Sequence, residues 1–216
     1  MELLGRWDKI RKKGKNSAAT IKDVKDLRRI ANRLKERKYE AYILWSIAID
    51  TGYRGIDLVK LTIADLKEAI RLGELTILEQ KTENTRKKQF KRTVILSDKL
   101  IETLKEFVKD KSDSQYVYPS QKGNGTGKFK THIQRESLGK LFKKIIVDEL
   151  GIKVNSVGVH TPRKTYGYIQ YIEHDRDINY VQELFGHSKP STTKAYIGID
   201  DDMLKDSSKC MNKYHF

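Results

Sequence analysis

"ELTILEQKTENTRKKQFKRTVILS", Glu74 to Ser97, is where the periodicity of this chain changes. The segments "ELTILEQ" and "FKRTVILS" are short and rich in Leu, Ile, Val and Thr, the composition of strands. Between them "KTENTRKK", Lys81 to Lys88, reads as a basic loop. The expectation is one β-hairpin. On both sides of it apolar residues return to helical spacing, so the expected fold class is mainly α with a small antiparallel β-sheet, an α+β domain.

Upstream, "YEAYILWSIAID" is apolar nearly all round, the pattern of a buried helix, and Gly52 is placed to end it. "YRGIDLVKLTIADLKEAIRLG" follows as a short turn and a helix. Further upstream, Thr20 with Asp23 resembles a capping box. Val24, Leu27, Ile30, Ala31 and Leu34 then share one helix face, with Arg28, Arg29, Arg33 and Lys35 off it. Residues 1–19 end in "RKKGKNSAA", a basic arm or linker. Downstream of the hairpin, Leu100, Ile101, Leu104, Phe107 and Val108 have helical spacing. "YPSQKGNGTGKFKT" is a Gly/Lys-rich loop without the Gly-Lys-Ser/Thr ending of a P-loop. Leu138, Leu141, Phe142, Ile145, Ile146 and Leu150 define one amphipathic helix closed by Gly151. From Val159 the chain reads as helical throughout. The expected organisation is an arm over 1–19, one domain over 20–199 and a tail over 200–216.

The chain has 216 residues, enough for one large domain. Forty-four Lys and Arg against twenty-nine Asp and Glu give a formal charge of +15. Such an excess favours a polyanion through counterion release, and nucleic acid is the leading candidate. The single cysteine, Cys210, excludes a disulfide framework within the chain and argues against a Cys-based zinc site. No apolar run approaches the ~18 residues of a membrane span, and "MELLGRWDKIRKKGK" has no signal-peptide core. A cytoplasmic protein without a membrane partner is expected.

Several residues suit chemistry on an anion. In "VHTPRKTYGYIQYI", Thr161 is a plausible N-cap with Pro162 at the first helical position. Arg163 then falls in the first turn and His160 just before it, near the positive end of a helix. Arg54 follows a Gly stop in "GYRGIDL", where an inward-facing guanidinium could donate a bidentate fork to phosphate. Lys81, at the end of the first strand, could give up a proton, and Lys87 and Lys88 compete for that role. His187 sits in "LFGHS", and Tyr196 lies nine positions on. Each of these alone reads as an ordinary surface or core residue, and Tyr196 is one of eleven tyrosines.

Their order is more informative. "TGYRGIDL", "EQKTENTRKK", "HTPR" and "LFGHSKPSTTKAYI" together resemble the motifs of the tyrosine recombinases, or phage-type integrases, over roughly residues 40 to 200. Asp57 stands where the family usually has Glu, Gly55 where it has a larger residue, and Pro162 where it has an aliphatic one. Members typically carry a separate helical core-binding domain ahead of this one; here about 20 to 40 residues could stand in for it, as expected of either a short member or a catalytic fragment. The resemblance implies the catalytic-domain fold of DNA breaking-rejoining enzymes and cleavage through a 3′-phosphotyrosine on Tyr196. Arg54 and Arg163 would clamp the phosphate, His187 would donate to it, His160 would be the base and Lys81 the general acid. Neither metal nor other cofactor is expected. The implied partner is double-stranded DNA, bound by a tetramer, with a monomer when free. Arg28, Arg29 and Arg33, and Arg86, Lys87 and Lys88 of the hairpin loop, are candidate phosphate contacts. The tail from 200 to 216 would dock on a neighbouring subunit. Two alternatives share these features: a DNA-binding regulator that has lost strand exchange, and a type IB topoisomerase-like nicking-closing enzyme.

Overall fold

The computed structural model describes residues 18–83, 86–120 and 131–199, with residues 79–83 and 86–90 described by their backbone alone. The expected arm (save for its last residues), most of the Gly/Lys-rich loop and the tail from 200 therefore lie outside the described residues. Within them the fold is helical apart from one two-stranded antiparallel sheet.

Helix α1 spans Val24–Arg37 and α2 spans Tyr39–Thr51. The cap of α1 is Asp23, whose carboxylate accepts from the Lys25 amide at 2.6 Å. The expected capping box with Thr20 does not form, because the Thr20 hydroxyl donates instead to the Ile197 carbonyl at 2.8 Å. Helix α2 has apolar residues on every side and is buried accordingly, with Ile43, Leu44, Trp45 and Ile47 in the core. It stops at Gly52, whose φ of 65° is left-handed.

The segment expected as one turn and one helix holds two helices, α3 (Gly55–Leu58) and α4 (Ile63–Leu72). They are separated because Thr62 and Asp65 form a reciprocal capping box that starts α4 afresh. Strands β1 (Glu74–Glu83) and β2 (Arg86–Ile95) pair from Glu74↔Ile95 to Glu83↔Arg86. Most of the expected loop therefore belongs to the ladder. An antiparallel ribbon accepts charged residues wherever a face is solvated, so charge alone did not mark a loop.

Helix α5 (Asp98–Val108) is capped by Ser97, which also donates to Asp50 at 2.5 Å and so ties the hairpin's exit to α2. The expected single helix ending at Gly151 is α6 (Arg135–Lys143) continued as a π-helix, Lys144–Glu149. Its five-residue bonding is visible where the Leu150 amide donates to Ile145 at 3.0 Å. The last third folds as α7 (Thr161–Glu173), α8 (Ile178–Phe185) and α9 (Pro190–Ile197).

The larger core surrounds α2, and a smaller one gathers Tyr166, Val181, Phe185, Ile197 and Ile199 from α7, α8 and the end of α9. Gly167 sets the closeness of these three helices. A Cβ there would meet Phe185 at 2.5 Å and Ile197 at 2.8 Å. Residues 19–22 strap the same unit. The Ala19 amide donates to Ser156 at 2.6 Å, and the Ile21 amide to the Thr165 hydroxyl at 3.0 Å. Lys22 reaches the Gly198 carbonyl at 2.9 Å. The short basic entry segment thus fastens the end of α9 to α7.

Candidate active site

Three chain segments converge where α2 ends. Gly52 turns the chain, and Tyr53, fully buried, points its hydroxyl at the base of the hairpin. That hydroxyl lies 2.7 Å from the Leu75 carbonyl and 2.6 Å from the Arg92 carbonyl, sharing one proton between them. Arg92 returns the contact, donating to the Thr51 carbonyl at 2.9 Å with its guanidinium over the Tyr53 ring. Arg54 follows in extended conformation just before α3, half-buried. The corner that carries Arg54 and the ribbon that carries Lys81 are therefore pinned together.

Arg163 comes to this corner from the first turn of α7. It is 3% exposed and donates to the Gly52 carbonyl at 2.5 Å. Its guanidinium lies 4.7 Å from the centroid of Phe185. A buried guanidinium is costly without compensation, and here a carbonyl and an aromatic face supply part of it.

His160 and Arg163 both sit at the start of α7, as the sequence suggested, but the cap is shifted. Thr161 is already helical and His160 is the N-cap residue, without a side-chain capping bond. The Thr161 hydroxyl accepts from the Gly158 amide at 3.1 Å, so it closes the preceding turn instead of capping the helix. Pro162 remains in the first turn, where its missing N–H costs nothing. The His160 imidazole is pushed below its ordinary range, first by burial and then by Arg163, Arg135, Lys164 and Arg54. Its Nδ1 is buried and has no hydrogen-bond partner among the described residues. Burial and the surrounding cations both favour the neutral imidazole.

His187 follows the left-handed Gly186 that ends α8. Its Nδ1 lies 3.0 Å from the hydroxyl of Thr193, which is fully buried in α9. Its backbone is held at both ends by Gln182, whose amide nitrogen donates to the His187 carbonyl at 2.9 Å and whose carbonyl accepts at 3.1 Å. Tyr196 is half-buried on α9. Its ring centroid is 5.4 Å from that of His187 and 5.4 Å from that of Phe185, both edge-on.

Arg163, His187 and Tyr196 gather on Phe185, and Arg163 and Arg54 act on the His160 imidazole. Cations, two imidazoles and a phenol in one place can bind a phosphate and attack it. Sequence reasoning missed Phe185, Thr193, Arg92 and Lys164. The second threonine of "STT" was a usable signal for Thr193, since it stands six residues after His187.

The other candidates fall elsewhere. Lys81, Arg86, Lys87 and Lys88 lie on the two strands, with Lys81 paired to Lys88, and their side chains are outside the described residues. Arg28 is exposed on α1. Arg29 and Arg33 are committed within the molecule. Arg29 donates to Asp26 and to the Leu150 carbonyl, each at 2.8 Å. Arg33 donates to Glu149 at 2.7 Å and to Glu36 at 3.2 Å. Those arginines fix α1 against the π-helix.

The sequence matches the model of the phage integrase family over residues 20–203. A probable integrase/recombinase of Bacillus subtilis (strain 168), YoeC, is 25% identical over 191 residues, covering 88% of this chain and 94% of that protein. Tyrosine recombinase XerC of Caldanaerobacter subterraneus is 25% identical over 181 residues, 84% of this chain but 46% of that protein. The chain thus spans about half the length of the XerC and XerD relatives it matches. Among solved structures, XerA recombinase superposes with a TM-score of 0.62 at 18% identity, over 92% of this chain and 65% of that one. XerH in a post-cleavage complex with its difH substrate gives 0.59 at 22%, over 89% and 53%. At these identities the structures share the fold.

Proposed function

The chain belongs to the phage integrase family, and from that premise we propose that it is a site-specific DNA recombinase acting through a 3′-phosphotyrosine intermediate. The observation that carries the reading is the convergence of Arg163, His187 and Tyr196 on one aromatic floor, with Arg54 acting on a half-buried His160.

The chemistry follows from the groups. Tyr196 Oη attacks the scissile phosphorus, and its proton passes to His160. The P–O5′ bond breaks, and Lys81 protonates the departing oxygen. The phosphodiester energy is kept in the tyrosyl ester, so rejoining needs no nucleotide cofactor. Arg54 and Arg163 neutralise the charge that builds on the phosphate oxygens, and His187, oriented by Thr193, donates a further hydrogen bond. Each preorganised donor of this kind is worth about 3–4 kcal/mol in comparable sites. With the phosphate neutralised by side chains, the reaction calls on no metal.

Residues 20–199 are the catalytic unit in this reading, with 1–19 an arm along DNA and 200–216 a segment that docks on a neighbour. The partner is double-stranded DNA, engaged by a tetramer that assembles from monomers. A DNA substrate sets the work in the cytoplasm of a bacterial host. Recombination of a mobile element fits the transposon integrase of Tn1549, whose DNA complex shares the fold at a TM-score of 0.59.

The test is direct. The purified chain is incubated with nicked duplexes made from the source genome, and covalent adducts are recovered under denaturing conditions and sequenced. Adducts absent from Tyr196→Phe are expected, with the DNA on Tyr196. DNA binding without any adduct would favour a regulator that keeps the fold. Relaxation of supercoiled plasmid without exchange between paired sites would favour a nicking-closing enzyme.

A further inference from the structure

Lys164 is 5% exposed, yet it is a lysine in the first turn of α7. Its ammonium lies 5.1 Å from the centroid of the Tyr196 ring, over its face. Lysines are almost never so deeply buried unless paired. Burial lowers its proton affinity, and Tyr196 supplies the aromatic face that a desolvated cation seeks. The phenol therefore has Lys164 over its face, and His187 and Phe185 packed against it.

We propose that Lys164 is a positioning residue for Tyr196: its ammonium holds the phenol ring by its face and steadies the negative charge that builds there during attack. The inference rests on Tyr196 being the nucleophile. In the step itself the phenol proton leaves for His160, the Oη–P bond forms and the P–O5′ bond breaks, while Lys164 keeps its proton throughout. A phenoxide draws a cation to its π-face more strongly than a neutral phenol does, so the contact strengthens towards the transition state. The charged and titratable groups around the pair are His160 and Arg163 on the same helix, and His187 ahead of α9. Arg54 and Arg135, with Arg163 and Lys164 itself, act on the His160 imidazole. Arg163 packs on Phe185, which in turn packs on Tyr196. Lys164 is thus a cation in direct contact with the Tyr196 ring.

The experiment is single-turnover adduct formation by the full chain on the recovered duplex, from pH 6 to 10. Lys164→Met and Lys164→Gln remove the charge, and Lys164→Arg keeps it. The neutral variants should bind DNA as the parent does and cleave about 10- to 30-fold more slowly, the worth of a desolvated cation–π contact. Lys164→Arg should keep most of the rate. It should also lose part of the fall in rate on the alkaline side, because the parent's lysine deprotonates there and the guanidinium does not. Neutral variants that cleave at the parental rate would overturn the proposal. So would neutral and arginine variants that are equally slow with the parental pH profile, since that is a packing defect. If neither neutral variant folds in a thermal melt, the alkaline limb of Lys164→Arg decides alone. A parent that forms no adduct on any duplex removes the nucleophile reading, and this inference with it.

Discussion

Gly167→Ala tests the packing that brings the reactive groups together. Gly167 lies where α7 meets α8 and α9. An added Cβ would sit 2.5 Å from Phe185 Cε2, 2.6 Å from Cζ and 2.8 Å from Ile197 Cγ2. Carbon atoms pack at about 3.5–4.0 Å, so α8 and α9 must retreat by about 1 Å. Overpacking of this kind costs about 1–3 kcal/mol, and contact with three atoms belongs in the upper part of that range. Alanine in a helix interior returns about 1 kcal/mol relative to glycine. The net is a loss of about 1–2 kcal/mol, or about 2–8 °C in Tm for a chain of this size. The same retreat moves His187 and Tyr196 away from Arg163, so adduct formation should fall by more than stability alone explains. Thermal melts and single-turnover cleavage would be read on Gly167→Ala, Phe185→Leu and the double variant. The smaller leucine side chain should relieve the clash, so the double variant should be more stable than the two single effects add up to, by about 0.5–3 kcal/mol. A Gly167→Ala chain as stable as the parent, with simple additivity in the double variant, would refute the close approach.

Three further outcomes are expected. His160 has its proton affinity lowered in the folded chain, so the unfolded state binds more protons near and below the ordinary imidazole value of 6.5. Its contribution to stability is complete above that value and is lost as pH falls through the lower folded value. Urea midpoints should therefore drop on acidification below about 6.5, and His160→Gln should flatten that slope; an identical slope in the variant would count against it. Cleavage should keep its rate further down, below pH 6.5, because the base works as the neutral imidazole and the folded chain holds it neutral past the ordinary value. Thr20→Val removes the part-buried bond to the Ile197 carbonyl and should cost about 0.5–1.5 kcal/mol. Amide hydrogen exchange should quicken at the end of α9 and not in α2; unchanged exchange at α9 would show that the strap does not hold it.

Much of this was legible in the sequence because it depends on local rules. The apolar circumference of "YEAYILWSIAID" dictated a buried α2, and the glycine after it dictated the left-handed stop at Gly52. The change of period at Glu74 dictated the sheet. Spacing brought Arg163 and His160 to one helix start and His187 just past a helix end, since those placements need only one turn of backbone. Local rules also set the errors. Thr20 and Thr161 have the chemistry of caps, but each hydroxyl found a partner the sequence does not show, at Ile197 and Gly158. Lys81 to Lys88 have the charge of a loop, but the ladder continued because a neighbouring strand was in register. Arg33, expected on a phosphate-contacting face, also pairs with Glu149, more than a hundred residues on, a partner the sequence does not show.

Only the tertiary structure decided which groups meet. Lys164 over Tyr196, Arg163 at Gly52, Phe185 beneath both and Thr193 behind His187 are contacts between helices. No periodicity encodes them, because a helix specifies its own face but not the residue it will be packed against. Composition determined a cationic protein suited to a polyanion, and chain order determined its family resemblance. The approach of α7, α8 and α9, permitted by one glycine's missing side chain, turned that list of residues into a site.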